Sequence, residues 1–312
     1  MEFRKETFKT QSSDGKHTLS GKVYIPEGKT RGFFHVVHGM AEHIERYDAF
    51  MGRMASEGWI CFGYNHLGHK DTALDDSELG FIADKDGDVL LVDDVKNYYE
   101  AVKKEYSDES DSSLPYVLMG HSMGSFVVRL AAERTVSPDK LIIMGTGGKN
   151  PLASAGLMLI AIIKLFCGGK HVSKLVDNMA FGAYNKRFEG DTDKDPSLWL
   201  TNDADIRNAY YEDKYCGFKF TVSAMGNLIK MIKDCNRAAW YKNIPRDMSV
   251  LLVSGADDPV GNYSAGVREV ESLLRAEGSD VECIIYEGAR HEILNDISCE
   301  RVTEDIISFS NK

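Results

Sequence analysis

"YVLMGHSMGSFVVRLAA" runs from Tyr116 to Ala132. Tyr116 to Met119 is a short apolar run behind Leu114-Pro115, the pattern of a buried strand. Phe126 to Ala132 reads as the first turns of a helix, with Val127, Val128, Leu130 and Ala131 available to a core. A strand that turns at once into a helix needs small residues on both sides of the turn, because the backbones pass close together there. Gly120 and Gly124 supply them, with His121, Ser122 and Met123 between. Ser122 is then expected at the apex in a strained conformation, its hydroxyl exposed beside a helix N-terminus. This is the nucleophile elbow, and the strand and helix around it give the short motif its weight.

The rest of the chain continues the alternation. "GFFHVVHGM", "WICFGYNHLGH", "KLIIMGTGG", "MSVLLVSGADDPV" and "VECIIYEGARHEI" read as strands running into polar loops. "YDAFMGRMASEG", "VLLVDDVKNYYEAVKKEY", "AGVREVESLLRAEG" and "RVTEDIISFS" have helical spacing. "HTLSGKVYIPEG" alternates and ends in a turn signal, so an antiparallel edge strand or hairpin is expected at the start. Strands alternating with helices imply an α/β layer fold with a mainly parallel sheet flanked by helices. The pattern breaks after Gly148 and resumes near Met248. The expected organisation is a core of residues 1–148 and 242–312, with residues 149–241 inserted as a helical cap.

Composition limits the alternatives. A net charge of -11 argues against nucleic acid, which wants basic patches. The first residues contain no apolar signal segment, and the longest apolar stretch, "GLMLIAIIKLFCGG", is interrupted by Lys164 and too short to span a bilayer. Six cysteines lack CxxC spacing and read as reduced thiols of a cytoplasmic protein. Neither a metal site nor a cofactor is expected.

Ser122 needs a base and an acid. In elbow-bearing sheets the chain order is serine, acid, histidine, on loops after late strands. "LLVSGADDPV" and "IIYEGARHEI" are strand-end loops in that order. His291 is the expected base, taking the serine proton and returning it to the leaving group. Asp258, which precedes Pro259, is the expected acid, with Asp257 as the competing candidate. The oxyanion hole requires two backbone N–H donors. One is expected from Met123, immediately after the nucleophile. The other is expected from Met40, in the loop after "FFHVV".

With these residues in place, the chain resembles the monoacylglycerol lipase and lysophospholipase-type serine hydrolases of the α/β-hydrolase superfamily. The likeness rests on "HGMAEHIERY", "NHLGHK", "GHSMGS", "SGADDPVG" and "YEGARHEILND", and on cap segments "FGAYNKRF", "WLTND" and "CGFKFT". It implies Asp258 as the acid. The sequence departs from the family at Ala41, where glycine is usual, at Asn65, where aspartate is usual, and at Lys70, where the loop usually ends in glycine.

The cap bears on substrate. "LMLIAIIKLF" could form an apolar wall that receives an acyl chain or touches a membrane surface transiently, with Leu159, Ile163 and Phe166 as candidate substrate contacts. The expected substrate is a small-molecule or lipid ester with one acyl chain. Two alternatives use the same fold. A small-ester esterase needs no acyl tunnel. A peptidase or amidase needs acidic groups to hold a substrate ammonium, and Glu189, Asp191 and Asp203 are the candidates. A binding protein without catalysis is the third class, and a complete serine, acid and histidine set argues against it.

Overall fold

The computed structural model describes residues 1–107, 114–188 and 195–312. Its single eight-stranded sheet comprises β1 (Phe3–Gln11), β2 (Thr18–Pro26), β3 (Gly32–Val37), β4 (Trp59–Tyr64), β5 (Tyr116–His121), β6 (Lys140–Met144), β7 (Ser249–Gly255) and β8 (Val281–Tyr286). The strand order is β1-β2-β4-β3-β5-β6-β7-β8. β1 and β2 pair antiparallel, as do β2 and β4, and every later pairing is parallel. This is the mainly parallel α/β-hydrolase sheet. The helices are α1 (Asp48–Ser56), α2 (Gly87–Tyr106), α3 (Met123–Arg134), α4 (Ala153–Cys167), α5 (Lys174–Phe181), α6 (Ala204–Glu212), α7 (Val222–Cys235), α8 (Ala238–Asn243), α9 (Ala265–Ala276) and α10 (Cys299–Asn311).

The central strands are apolar on both faces because helices cover both. Alternate residues feed separate cores, as a period of two requires. Phe33, Leu118, Leu141 and Ile143 pack with α2, α3, α7 and α9. Phe34, Val117, Met119 and Ile142 pack with α1 and α10 on the other side.

Two readings of the sequence change here. β1 forms the edge and β2 is paired on both sides, so "HTLSGKVYIPEG" is the inner strand of the opening hairpin. β1 is charged and largely exposed, as unprotected edges commonly are, and so carries no apolar signal. α3 begins at Met123, immediately after the apex serine, and not at Phe126.

The described residues between β6 and β7 form helices and turns, which do not all sit alike. α7 and α8 bury Val222, Met225, Met231 and Trp240 in the same core as the sheet. Arg129 of α3 is fully buried beneath them. It donates to the Cys235 carbonyl at 2.6 Å and to Asn236 Oδ1 at 3.0 Å, and stacks over Trp240. α4 instead exposes Met158, Ile162, Leu165 and Phe166.

Candidate active site

The turn from β5 into α3 leaves no room for side chains at its flanks. A Cβ on Gly120 would lie 2.2 Å from the Gly124 carbonyl oxygen, and one on Gly124 would lie 2.1 Å from the Val37 oxygen. Between them Ser122 has φ 53° and ψ −118°. That region is sparsely populated by residues with a side chain and costs about 1–3 kcal/mol. Ser122 is held there by its own amide, which donates to the Met144 carbonyl at 3.0 Å, and by its carbonyl, which accepts from the Ser125 amide at 2.9 Å.

The other two candidates of the triad meet. Asp258, on the loop after β7, is fully buried, and its Oδ2 lies 2.9 Å from His291 Nδ1. Its Oδ1 accepts from the Val260 amide at 2.8 Å, which orients the carboxylate. Asp257 turns away and pairs with Arg187 at 3.3 Å, with its side chain 30% exposed. His291 Nδ1 therefore donates to Asp258, and Nε2 is left as the acceptor. Ser122 and His291 line one cavity.

Met40 and Met123 line that cavity too. Among the described residues, neither main-chain N–H has a hydrogen-bond acceptor. For Met123 this follows from its place in the first turn of α3, where helix amides have no partner within the helix. Two such donors beside Ser122 can stabilise a developing oxyanion.

The loop that carries Met40 is fixed by groups that the sequence did not single out. Glu42 Oε1 accepts from the Gly39 amide at 2.6 Å and from the Tyr47 hydroxyl at 2.9 Å. Arg46 bridges Glu42 at 2.8 Å and Glu292 at 2.7 and 2.6 Å. Burial alone would push the Glu42 carboxyl up, but the His121 hydrogen bond and the Arg46 charge hold it well below the usual carboxylate range. His121 is pushed down by burial and raised overall by the same Glu42. The network thus joins the oxyanion loop to the residue after His291.

The departures from the family pattern also acquire a geometry. Ala41 has φ 52° and Lys70 has φ 38°, so both stand in the left-handed region that favours glycine. The Ala41 amide donates to His69 Nε2 at 3.3 Å. Burial holds His69 down to about 4, which keeps that nitrogen an acceptor. Asn65 Oδ1 accepts from the Ile44 amide at 2.9 Å.

The cavity measures about 850 Å³, and its lining is mostly apolar. Met40, Ser122, Met123 and His291 line it, as do Leu159 and Ile160 from α4 and Val176 and Phe181 from α5. Of the three cap residues expected to touch substrate, only Leu159 lines it. Ile163 packs against the buried core, and Phe166 is 81% exposed. Trp199 lies over His291 with ring centroids 5.0 Å apart, and its carbonyl accepts from the His291 amide. Asp203 caps α6 through the Asp205 and Ile206 amides and does not line the cavity, while Glu189 and Asp191 lie outside the described residues.

Comparison with known proteins supplies the family and the fold. Residues 28–298 match the model of a family described as serine aminopeptidase, S33. The chain is 23% identical to a monoglyceride lipase of Mus musculus over 301 residues, covering 96% of this chain and 87% of the relative. It is 22% identical to a monoacylglycerol lipase of Mycolicibacterium smegmatis over 310 residues, covering 96% and 97%. Among solved structures, a highly thermostable carboxyl esterase from Bacillus coagulans superposes with a TM-score of 0.90 at 30% identity, covering 98% of each chain.

Proposed function

The chain belongs to the serine aminopeptidase, S33, family of α/β-hydrolases, and from that premise we propose that it hydrolyses carboxylic esters of single-acyl-chain lipids, of the monoacylglycerol or lysophospholipid type, through an acyl-enzyme. Ser122 Oγ attacks the ester carbonyl as His291 Nε2 takes its proton. The Met40 and Met123 amides receive the oxyanion. His291⁺, held in register by Asp258, returns the proton to the leaving alcohol. Water then repeats the sequence on the acyl-serine.

The observation that carries this reading is the apolar cavity directly above Ser122. A site built to bury an acyl chain is concave, apolar and of this size. The names of the lipase relatives and of the esterase neighbour point the same way. Residues 149–241 act as the cap: α4 and α5 wall the cavity, and α7 and α8 seat the cap on the sheet. The outward apolar side chains of α4, with Leu175 and Met179 of α5, suit a transient contact with a membrane surface. No described helix is long and apolar enough to cross one.

The family description raises an aminopeptidase reading, which needs a free carboxylate for the substrate ammonium. The acids that line the cavity among the described residues are Glu42, Glu292 and Asp177. The first two are bound by Arg46, and Asp177 pairs with Lys219 at 2.7 Å. The ester reading therefore stands first.

A series of p-nitrophenyl esters of increasing chain length, run beside aminoacyl-nitroanilides, tests it. Each buried methylene contributes roughly 0.8 kcal/mol, so kcat/KM should rise about fourfold per methylene until the cavity is filled. Ser122→Ala should abolish turnover and fluorophosphonate labelling alike. A preference for acetyl esters would reduce the cap to scaffolding, and efficient anilide cleavage would restore the aminopeptidase reading.

A further inference from the structure

Away from Ser122, on the seam between the loop after β3 and the chain after α6, three ligand-type side chains converge. His43, Asp213 and Cys216 present one nitrogen, one oxygen and one sulfur within 4.8 Å of one another, with His43 Nε2 already 2.8 Å from Asp213 Oδ2. We propose that they form a binding site for a divalent zinc-type cation that latches the helical segment to the loop carrying the Met40 amide.

The donor set is the mixed nitrogen, oxygen and thiolate set that suits Zn²⁺. Asp213 and Cys216 share one tight turn, in which the Cys216 amide donates to the Asp213 carbonyl at 2.9 Å. The Tyr215 amide takes Asp213 Oδ1 at 2.8 Å, leaving Oδ2 to face His43. A tetrahedral zinc wants its ligand atoms about 3.3–3.6 Å apart. The Cys216 sulfur must therefore move in by about an ångström while the His43–Asp213 pair opens by about half of one, and Gly217 at φ 67° follows Cys216 directly to absorb the change.

Two independent features complete a metal site. Behind His43, Glu45 Oε2 lies 3.4 Å from Nδ1 and is ion-paired with Lys70, whose Nζ is also 3.4 Å from Nδ1; with a cation on Nε2, the Nδ1 proton can turn to that carboxylate. Beside the trio, a separate cavity of about 210 Å³ is lined by Asp213, Cys216, Tyr210 and Arg46, with space for a water as fourth ligand. The surrounding charge leaves a small negative excess: four carboxylates, of Glu42, Glu45, Asp213 and Glu292, stand beside three cations, Lys22, Arg46 and Lys70. On binding, the Cys216 thiol loses its proton to solvent. The seam is already closed by the Gly217 amide and the Tyr210 hydroxyl, both donating to the Ala41 carbonyl at 2.9 and 3.1 Å. A cation would lock it.

Metal-stripped full-length protein titrated with Zn²⁺ against a chromophoric chelator provides the test, without substrate, so its result is separate from that of the ester reading. The expected result is one Zn²⁺ per chain with a Kd of about 1 μM or tighter, a raised Tm, and a thiolate-to-metal absorption band with Co²⁺. Cys216→Ser and His43→Gln should each weaken binding at least about tenfold, whereas Cys167→Ser, at an exposed cysteine, should not. If Cys216→Ser does not fold, Asp213→Asn takes its place, since the amide keeps the Tyr215 contact. Wild-type affinity in these variants, or no binding at tens of micromolar Zn²⁺, overturns the site.

Discussion

Asp257 and Asp258 are adjacent in the chain and sit in different surroundings. Asp258 is buried against His291, while Asp257 is partly exposed and paired with Arg187. Asp258→Asn should lower kcat by about 10⁴, the loss seen when another serine enzyme has its triad acid replaced by the amide. Asp257→Asn should change kcat less than about threefold, in keeping with a surface pair. Steady-state kinetics on one soluble ester decides between them, and a larger loss at Asp257 would reverse the assignment. These candidates were legible because strand-end loops bring distant residues to one edge in a known chain order. Glu42, Arg46 and Tyr47 were quoted in a motif yet had no role assigned. Their meaning lies in contact with His121 and Glu292, which nothing local in the chain announces. The zinc-type trio was hidden in the same way, since His43 and Asp213 are 170 positions apart.

Helix α4 presents different neighbours on its two sides. Leu159 and Ile160 face the cavity, while Ile162, Leu165 and Phe166 face out. Leu159→Ser should lower kcat/KM for long-chain esters roughly tenfold, the loss of about two methylenes of contact, and leave acetyl esters unchanged. Phe166→Ser should leave soluble-ester kinetics alone and weaken binding to lipid vesicles. Rates across a chain-length series and a vesicle sedimentation assay check both. Equal damage to short and long esters at Leu159 would mean that the helix only supports the fold. The sequence marked this segment as apolar but could not orient it, because a helix apolar nearly all round has no periodicity to read. Strands β3 to β8 were legible from their apolar runs and β2 from its alternation. β1 was not, because its pairing is made by main-chain groups beneath charged side chains.

Over the whole molecule, buried histidines set the response to acid. Burial pushes His35 and His66 down to about 3 and His69 to about 4, against about 6.5 for an exposed imidazole. The unfolded chain therefore binds more protons than the folded one below pH 6.5. Their contribution is complete above that pH and is lost as pH falls toward 3. Asp94 opposes this, because burial raises its carboxyl to about 6, so the native state takes up a proton there between pH 6 and 4. Burial lowers His38 and His43 as well, while Glu42 raises His121, so more groups take up protons on unfolding than on folding and stability falls with pH below about 6.5. Urea midpoints at pH 7, 6 and 5 should fall accordingly, and His35→Gln should make the decline shallower. A midpoint unchanged down to pH 5 would contradict the account. Stability and chemistry also pull apart at position 122, where the backbone conformation suits glycine and the side chain is serine. A library of this chain screened for folding alone would therefore drift toward glycine at 122, and its most robust members would be inert.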